Sequence, residues 1–341
     1  MTSLADRYDA FERHRRGGRD AEARAAFLSL AGLDDLSAES VVGAVHPPTA
    51  PMIRYDAPRA VDVVALQQGA RDVAKFEDLT LRTARSLEGA LARDGFRSVA
   101  VGPYARRMDV ALSTDGGLAD RYTLIAARGA RAHLVAEAER DRSAEGTRRA
   151  GLALGYPPCC VERFVAVERS EEARRDGVNE ATLRAFVDTG APPWELNPLS
   201  SHALIGFMPC AASCPAALAF ARRVYGALTR VGGAVAETVR ATLARPVLFV
   251  RFPMFWVLDD ARLDARKRLR YSRAVAHDDG SLPALGAWRD ALLGDAVHRA
   301  DAVSLDDRAV TLTREGSPVA TWGLRTPRVP RLVVFTGGDG A

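Results

Sequence analysis

The residues of this chain best suited to chemistry are four cysteines: Cys159 and Cys160, which are adjacent, and Cys210 and Cys214, about fifty residues further on. In a reducing compartment thiols persist as thiols, so a cluster of this kind reads as metal ligands or redox groups rather than as disulfides. The thiolate is both the soft metal ligand and the nucleophile.

Spacing bears on the choice of metal. Tetrahedral zinc, with Zn–S bonds of about 2.3 Å, needs sulfurs about 3.8 Å apart and usually takes ligand pairs separated by two to four residues. Cys210 and Cys214 meet that pattern; the adjacent Cys159 and Cys160 do not. A polynuclear cluster presents irons at several corners, so neighbouring side chains can diverge and each still find a metal. A [4Fe–4S] cluster held by Cys159, Cys160, Cys210 and Cys214 is therefore the leading expectation. Zinc, metal-free redox thiols and purely structural cysteines follow it, and the common CxxCxxC and CxxxCxxC spacings are absent. With three cysteine ligands the fourth iron would be an open Lewis acid, suited to sulfur-handling or lyase steps, and with four the cluster would carry electrons. Either way the expectation is an enzyme acting on a small molecule, with an electron-donor protein as a further partner.

Local sequence places both pairs at helix starts. Pro157 and Pro158 hold the approach to the first pair extended, because proline fixes its own φ and restricts its predecessor. Val161 to Arg175 can then continue as an amphipathic helix. At the second pair, Pro215 suits the first helical position and makes Cys214 the N-cap of a long helix predicted over Ala216 to Leu243. The positive end of a helix dipole stabilises thiolate.

The phrase LGYPPCCVERF, followed by HALIGFMPCAASC, resembles a domain family of archaeal and bacterial proteins of unassigned function that carries GYPxCCV and a later PCxxxC, over about residues 148 to 225. Tandem cysteines with a distant close pair are also similar to the cysteine-rich domains of heterodisulfide-reductase-type subunits, which implies an iron–sulfur cluster. This chain lacks their Gly after the tandem pair and their two-residue gap later.

Other residues could serve the thiol site. Asn197, Ser201 and His202 belong to a polar run ahead of Cys210; His202 is the candidate extra ligand or proton donor, and Asn197 and Ser201 could bind substrate. The alternative is a local hydrogen-bond network. Tyr156, Glu162 and Arg163 flank the tandem pair and could reach a bound substrate, although a carboxylate at Glu162 equally suits the first turn of a helix. Arg251, with the arginines between residues 266 and 273, could hold a carboxylate or phosphate; a solvated face is the plainer reading.

These residues need a scaffold, and 341 residues suffice for two or three packed units. An apolar share of 48% with 26% charged residues is that of a globular chain. The fold expected is α+β: an N-terminal α+β region over 1–140, a helical cysteine domain over 141–245 and a β-rich region over 246–341. A helix is predicted over Thr2 to Leu30 and a longer one over Ala60 to Arg93, capped at Gly95. Short strands are predicted at Ser98 to Gly102, Met108 to Ser113, Tyr122 to Ala127 and Ala132 to Ala136. Val247 to Leu258 reads as one strand interrupted by Pro253. Further strands are predicted at Leu269 to His277, Ala309 to Arg314, Val319 to Leu324 and Leu332 to Thr336, with a helix near Leu285 to Leu293. The net charge of +4 is spread along the chain, which does not favour a nucleic-acid partner. No stretch reads as a signal peptide or a membrane span, so a cytoplasmic protein is expected.

Overall fold

A computed structural model describes residues 60–79, 81–104, 121–141, 143–199, 203–251, 254–264, 268–277, 295–305, 309–323 and 331–337. The helices predicted at Thr2 to Leu30 and Leu285 to Leu293 and the strand at Met108 to Ser113 lie outside these residues. The fold is α+β, as the sequence predicts.

The stretch from Ala60 to Arg93 corrects the prediction of one long helix. It forms helix α1 (Ala60–Gln67), strand β1 (Val73–Leu79) and helix α2 (Leu81–Arg93). Gly69, at φ +69°, ends α1: its N–H reaches Leu66 O at 3.1 Å and the Ala70 N–H reaches Ala65 O at 2.8 Å. That pair of bonds closes a helix with glycine in the left-handed region. Beyond it, β1 pairs antiparallel with β3 (Arg121–Ala127), which pairs in turn with β2 (Arg97–Tyr104). Helical spacing of apolar residues thus spans two helices and a strand, because strand pairing is a non-local gain that local periodicity does not register.

Alternation along these strands divides the sheet cleanly. Phe76, Leu124 and Ala126 pack with Leu87 and Leu91 of α2, whereas Val73, Ile125 and Ala127 pack with Val135 and Ala136 on the opposite face. The latter two belong to helix α3 (Arg131–Arg140), where a strand was expected over Ala132 to Ala136. Ala132, Val135 and Ala136 are buried at the i, i+3, i+4 spacing of a helix, and alanine is the strongest helix former.

The cysteine region is helical: α4 (Ala144–Ala153), α5 (Pro158–Glu168), α6 (Glu171–Asp176), α7 (Val178–Val187), a 3-10 turn (Trp194–Leu196), α8 (Pro215–Val231) and α9 (Gly233–Leu243). The long helix predicted to Leu243 is interrupted at Gly232, and α8 and α9 pack on each other.

Val247 to Leu258 is two strands rather than one. β4 (Val247–Arg251) and β5 (Met254–Asp259) pair antiparallel from Val247↔Val257 to Arg251↔Met254, so the chain reverses between them. Together with β8 (Arg273–His277) and β12 (Arg331–Val333) they form a sheet in the order β12-β4-β5-β8. The predicted strand over Leu269 to His277 is likewise divided, its first part being β7 (Leu269–Arg270). With β6 (Arg262–Leu263), β9 (Ala302–Leu305), β10 (Ala309–Arg314) and β11 (Ser317–Gly323), β7 makes a second sheet in the order β11-β10-β9-β7-β6. A short helix, α10 (Asp295–Arg299), packs beside it.

The β4–β5 hairpin lies between two cores. Leu248, Trp256 and Leu258 join a cluster with Leu269, Val303 and Leu312. The alternate residues Val247, Phe249 and Phe255 join the cluster that holds Cys160 and Cys214, together with Val61 and Val64 of α1 and Phe220 and Val224 of α8. The core around the thiols therefore draws on all three segments of the chain. Among the described residues, no helix is long and apolar enough to cross a membrane.

Candidate metal centre

Both pairs of cysteines sit at helix starts, as the prolines imply. Helix α4 ends at Gly155 (φ +76°), where the Tyr156 N–H bonds Gly151 O and the Gly155 N–H bonds Leu152 O, each at 3.0 Å. The chain leaves this turn through Pro157, the N-cap of α5, and Pro158, its first residue. Cys159 and Cys160 are thus the second and third residues of α5. Gly151 allows α4 to lie close against that first turn: a Cβ there would meet Val161 Cγ2 at 2.9 Å.

Cys214 is the N-cap of α8, with Pro215 in the first helical position. Its sulfur accepts the Ala217 N–H at 3.5 Å, standing where a serine hydroxyl would in an ordinary cap. The preceding loop is pinned at several points. The Ala212 N–H donates to Thr189 Oγ1 at 2.7 Å, and that hydroxyl donates to Phe186 O at the end of α7. Arg71, ion-paired with buried Asp62, donates to Leu204 O at 2.6 Å. The Cys210 N–H reaches Cys160 Sγ at 3.4 Å, joining the two halves directly.

The result is one group of four thiols. Cys159 Sγ lies 4.0 Å from Cys160 Sγ and 3.7 Å from Cys214 Sγ, Cys160 and Cys214 are 3.8 Å apart, and all four sulfurs lie within 4.8 Å of one another. Among the described residues, no histidine nitrogen or carboxylate oxygen joins this group. The four thiols can hold a metal ion. Cys160 and Cys214 are buried, Cys210 is half-buried and Cys159 is exposed.

Charge argues in the same direction. Burial pushes the Cys160 thiol far up, against the Cys210 N–H, and burial together with neighbouring thiols pushes Cys210 up to about 11. Cys214 moves down: burial opposes ionisation there, but the Ala217 N–H and bonds from the other three thiols outweigh it. Negative charge on Cys214 is thus favoured over charge on Cys160 or Cys210. A cation among the sulfurs would offset the cost of ionising Cys160 and Cys210.

Of the other predicted residues, the side chains of Tyr156, Glu162, Arg163 and Asn197 are described. Tyr156 is half-buried, with its ring 4.8 Å from Phe207 and 6.3 Å from Phe220, and burial raises its phenol. Glu162 is exposed and its carboxylate is held by Arg148 (Nε at 2.7 Å), which lowers its pKa. Arg163 is exposed. Asn197 is buried and bound to backbone: its Nδ2 donates to Leu243 O at 2.7 Å and its Oδ1 accepts from Leu199 N at 2.9 Å. Ser201 and His202 lie outside the described residues, as does the side chain of Arg251, whose backbone is in β4.

Sequence reading did not find Arg71, Asp62 or Thr189. Thr189 directly follows the Asp188 cap of α7, a position where hydroxyl-to-backbone bonding is common. The Asp62–Arg71 pair has no local signal, since its partner carbonyl at Leu204 is 133 residues from Arg71.

Comparison with protein-family models, curated proteins and solved structures yields no match for this chain. The thiol group itself therefore carries the functional argument.

Proposed function

We propose that Cys159, Cys160, Cys210 and Cys214 hold one metal ion as four thiolates, zinc being the ion that fits best, and that this centre fastens the start of α5 to the start of α8. The observation that carries the reading is the set of sulfur separations. The three separations among Cys159, Cys160 and Cys214, of 3.7, 3.8 and 4.0 Å, match the edges of a tetrahedron with metal–sulfur bonds of about 2.3 Å, and the Cys210 sulfur lies within 4.8 Å of the other three. Ligands of a [4Fe–4S] cluster radiate from four different irons, so their sulfurs stand farther apart than sulfurs sharing one ion. The adjacency of Cys159 and Cys160, which favoured a cluster while only the sequence was considered, loses that force once both side chains point at the same place.

When bound, zinc supplies a redox-inert dication that offsets the thiolate charge. The chain's own part is to orient the sulfurs, through the proline-led helix starts, and to shield two of them. Four protein ligands close the coordination shell, as in structural zinc sites. Protein purified without oxygen should be colourless, with about one zinc per chain and no labile sulfide, and chelation should lower its thermal stability. Iron with equivalent sulfide and a brown colour would overturn the reading in favour of a cluster enzyme.

A further inference from the structure

The four sulfurs are not equivalent. Cys160 is 2% exposed and accepts the Cys210 N–H; Cys214 is 4% exposed and accepts the Ala217 N–H. Cys210 is half-buried against the apolar core. Cys159 alone is exposed, and among the described residues no backbone N–H is donated to its sulfur, which lies beside those of the other three cysteines. A donated N–H withdraws electron density from a thiolate and lowers its reactivity, and such outer contacts tune metal-bound ligands strongly. Zinc keeps the sulfurs deprotonated at neutral pH, and a tetrathiolate zinc centre carries a net charge of minus two, so a thiolate outside the hydrogen-bonded pair remains a nucleophile.

We infer that Cys159 is the reactive thiolate of this centre and the acceptor of an alkyl group from a soft carbon electrophile. This rests on the single-ion reading above. In the step, a Cys159 sulfur lone pair forms the new carbon–sulfur bond while the bond from carbon to its leaving group breaks, and the leaving group departs with that electron pair. Thiolate becomes thioether, the centre's charge rises from minus two to minus one, and the metal keeps its oxidation state.

The probe is iodoacetamide, added in less than stoichiometric amount to the zinc-loaded full chain under anaerobic conditions. Sites are read by peptide mass spectrometry against time, and zinc is measured on the same sample. Cys159 should be carbamidomethylated first, at least about ten-fold faster than Cys160, Cys210 or Cys214. Cys159→Ser should lose this fast phase while circular dichroism remains that of the folded chain. Comparable labelling of all four cysteines with one zinc bound would overturn the inference and leave the metal reading standing. A sample without metal would overturn the metal reading itself, and the assignment of a zinc thiolate with it.

Discussion

The backbone N–H of Cys210 points at the sulfur of Cys160 across 3.4 Å, tying together two segments fifty residues apart in the chain. One half of the cysteine motif thereby supplies both a thiol and a hydrogen bond to a thiol of the other half. Under the proposed metal reading, binding of the ion and the joining of these two segments are coupled, which shapes how the site should respond to substitution.

Cys214 has two separable roles, ligand and helix cap. Cys214→Ser keeps a capping oxygen and removes the thiolate, whereas Cys214→Ala removes both. Metal analysis should find both variants far below one ion per chain. In the metal-free state the Ser variant should be more stable than the Ala variant by about 0.5–2 kcal/mol, read from denaturant melts. Equal metal-free stabilities would argue against the cap.

Metal affinity should rise with pH. In the metal-free chain, burial raises Cys160 far above its ordinary value and Cys210 to about 11, so near neutral pH both are protonated and must lose protons to bind. Each displaced proton adds about ten-fold in affinity per pH unit, so these two thiols by themselves contribute about a hundred-fold per pH unit until they ionise unaided. Competition titrations with a chelator at several pH values measure the slope, and calorimetry in buffers of different ionisation enthalpy counts the protons. A flat profile between pH 6 and 8, the range of ordinary handling buffers, would contradict the burial-driven shifts.

Gly151 sets the approach of α4 to the turn that carries the tandem cysteines. Gly151→Ala places a Cβ 2.9 Å from Val161 Cγ2, and a β-branched side chain cannot easily swing aside. Destabilisation of about 1–3 kcal/mol is expected, from overpacking. Val161→Ala in the same chain should restore part of the loss, so a double-mutant cycle should show coupling between the two positions.

Asn197 can be tested as a structural residue against its predicted substrate role. Its amide is satisfied by Leu243 O and Leu199 N in the interior. Asn197→Ala should cost about 1–3 kcal/mol, because a buried carbonyl and a buried N–H lose their partner. Zinc per chain should be unchanged. Loss of metal without loss of stability would point instead to a direct role at the thiol site.

Much of the site was legible in sequence because its determinants are local. Pro158 and Pro215 begin helices through their restricted φ and missing N–H, Cys214 caps through its side chain, and an α+β fold follows from distinct stretches of helical and alternating periodicity. Four clustered thiols in one third of the chain were enough to expect a metal site. Strand β1, hidden within an apparently helical stretch, was not legible, because its backbone groups are satisfied by β3 nearly fifty residues away. Nor could the hairpin of β4 and β5 be told from a single strand while each half has the same apolar character.

The proposed preference for zinc over a cluster rests on the tertiary structure for the same reason. Adjacency in sequence describes where two α-carbons are, whereas a metal responds to where the sulfurs go. The directions of the Cys159 and Cys160 side chains are set by the first turn of α5, by the Cys210 N–H and by the placement of α8, all contacts across the fold. Sequence alone determined that these thiols could hold a metal. Only the packing of α5 against the start of α8 brought three sulfurs to tetrahedral separations, left Cys159 at the surface and buried Cys160 and Cys214.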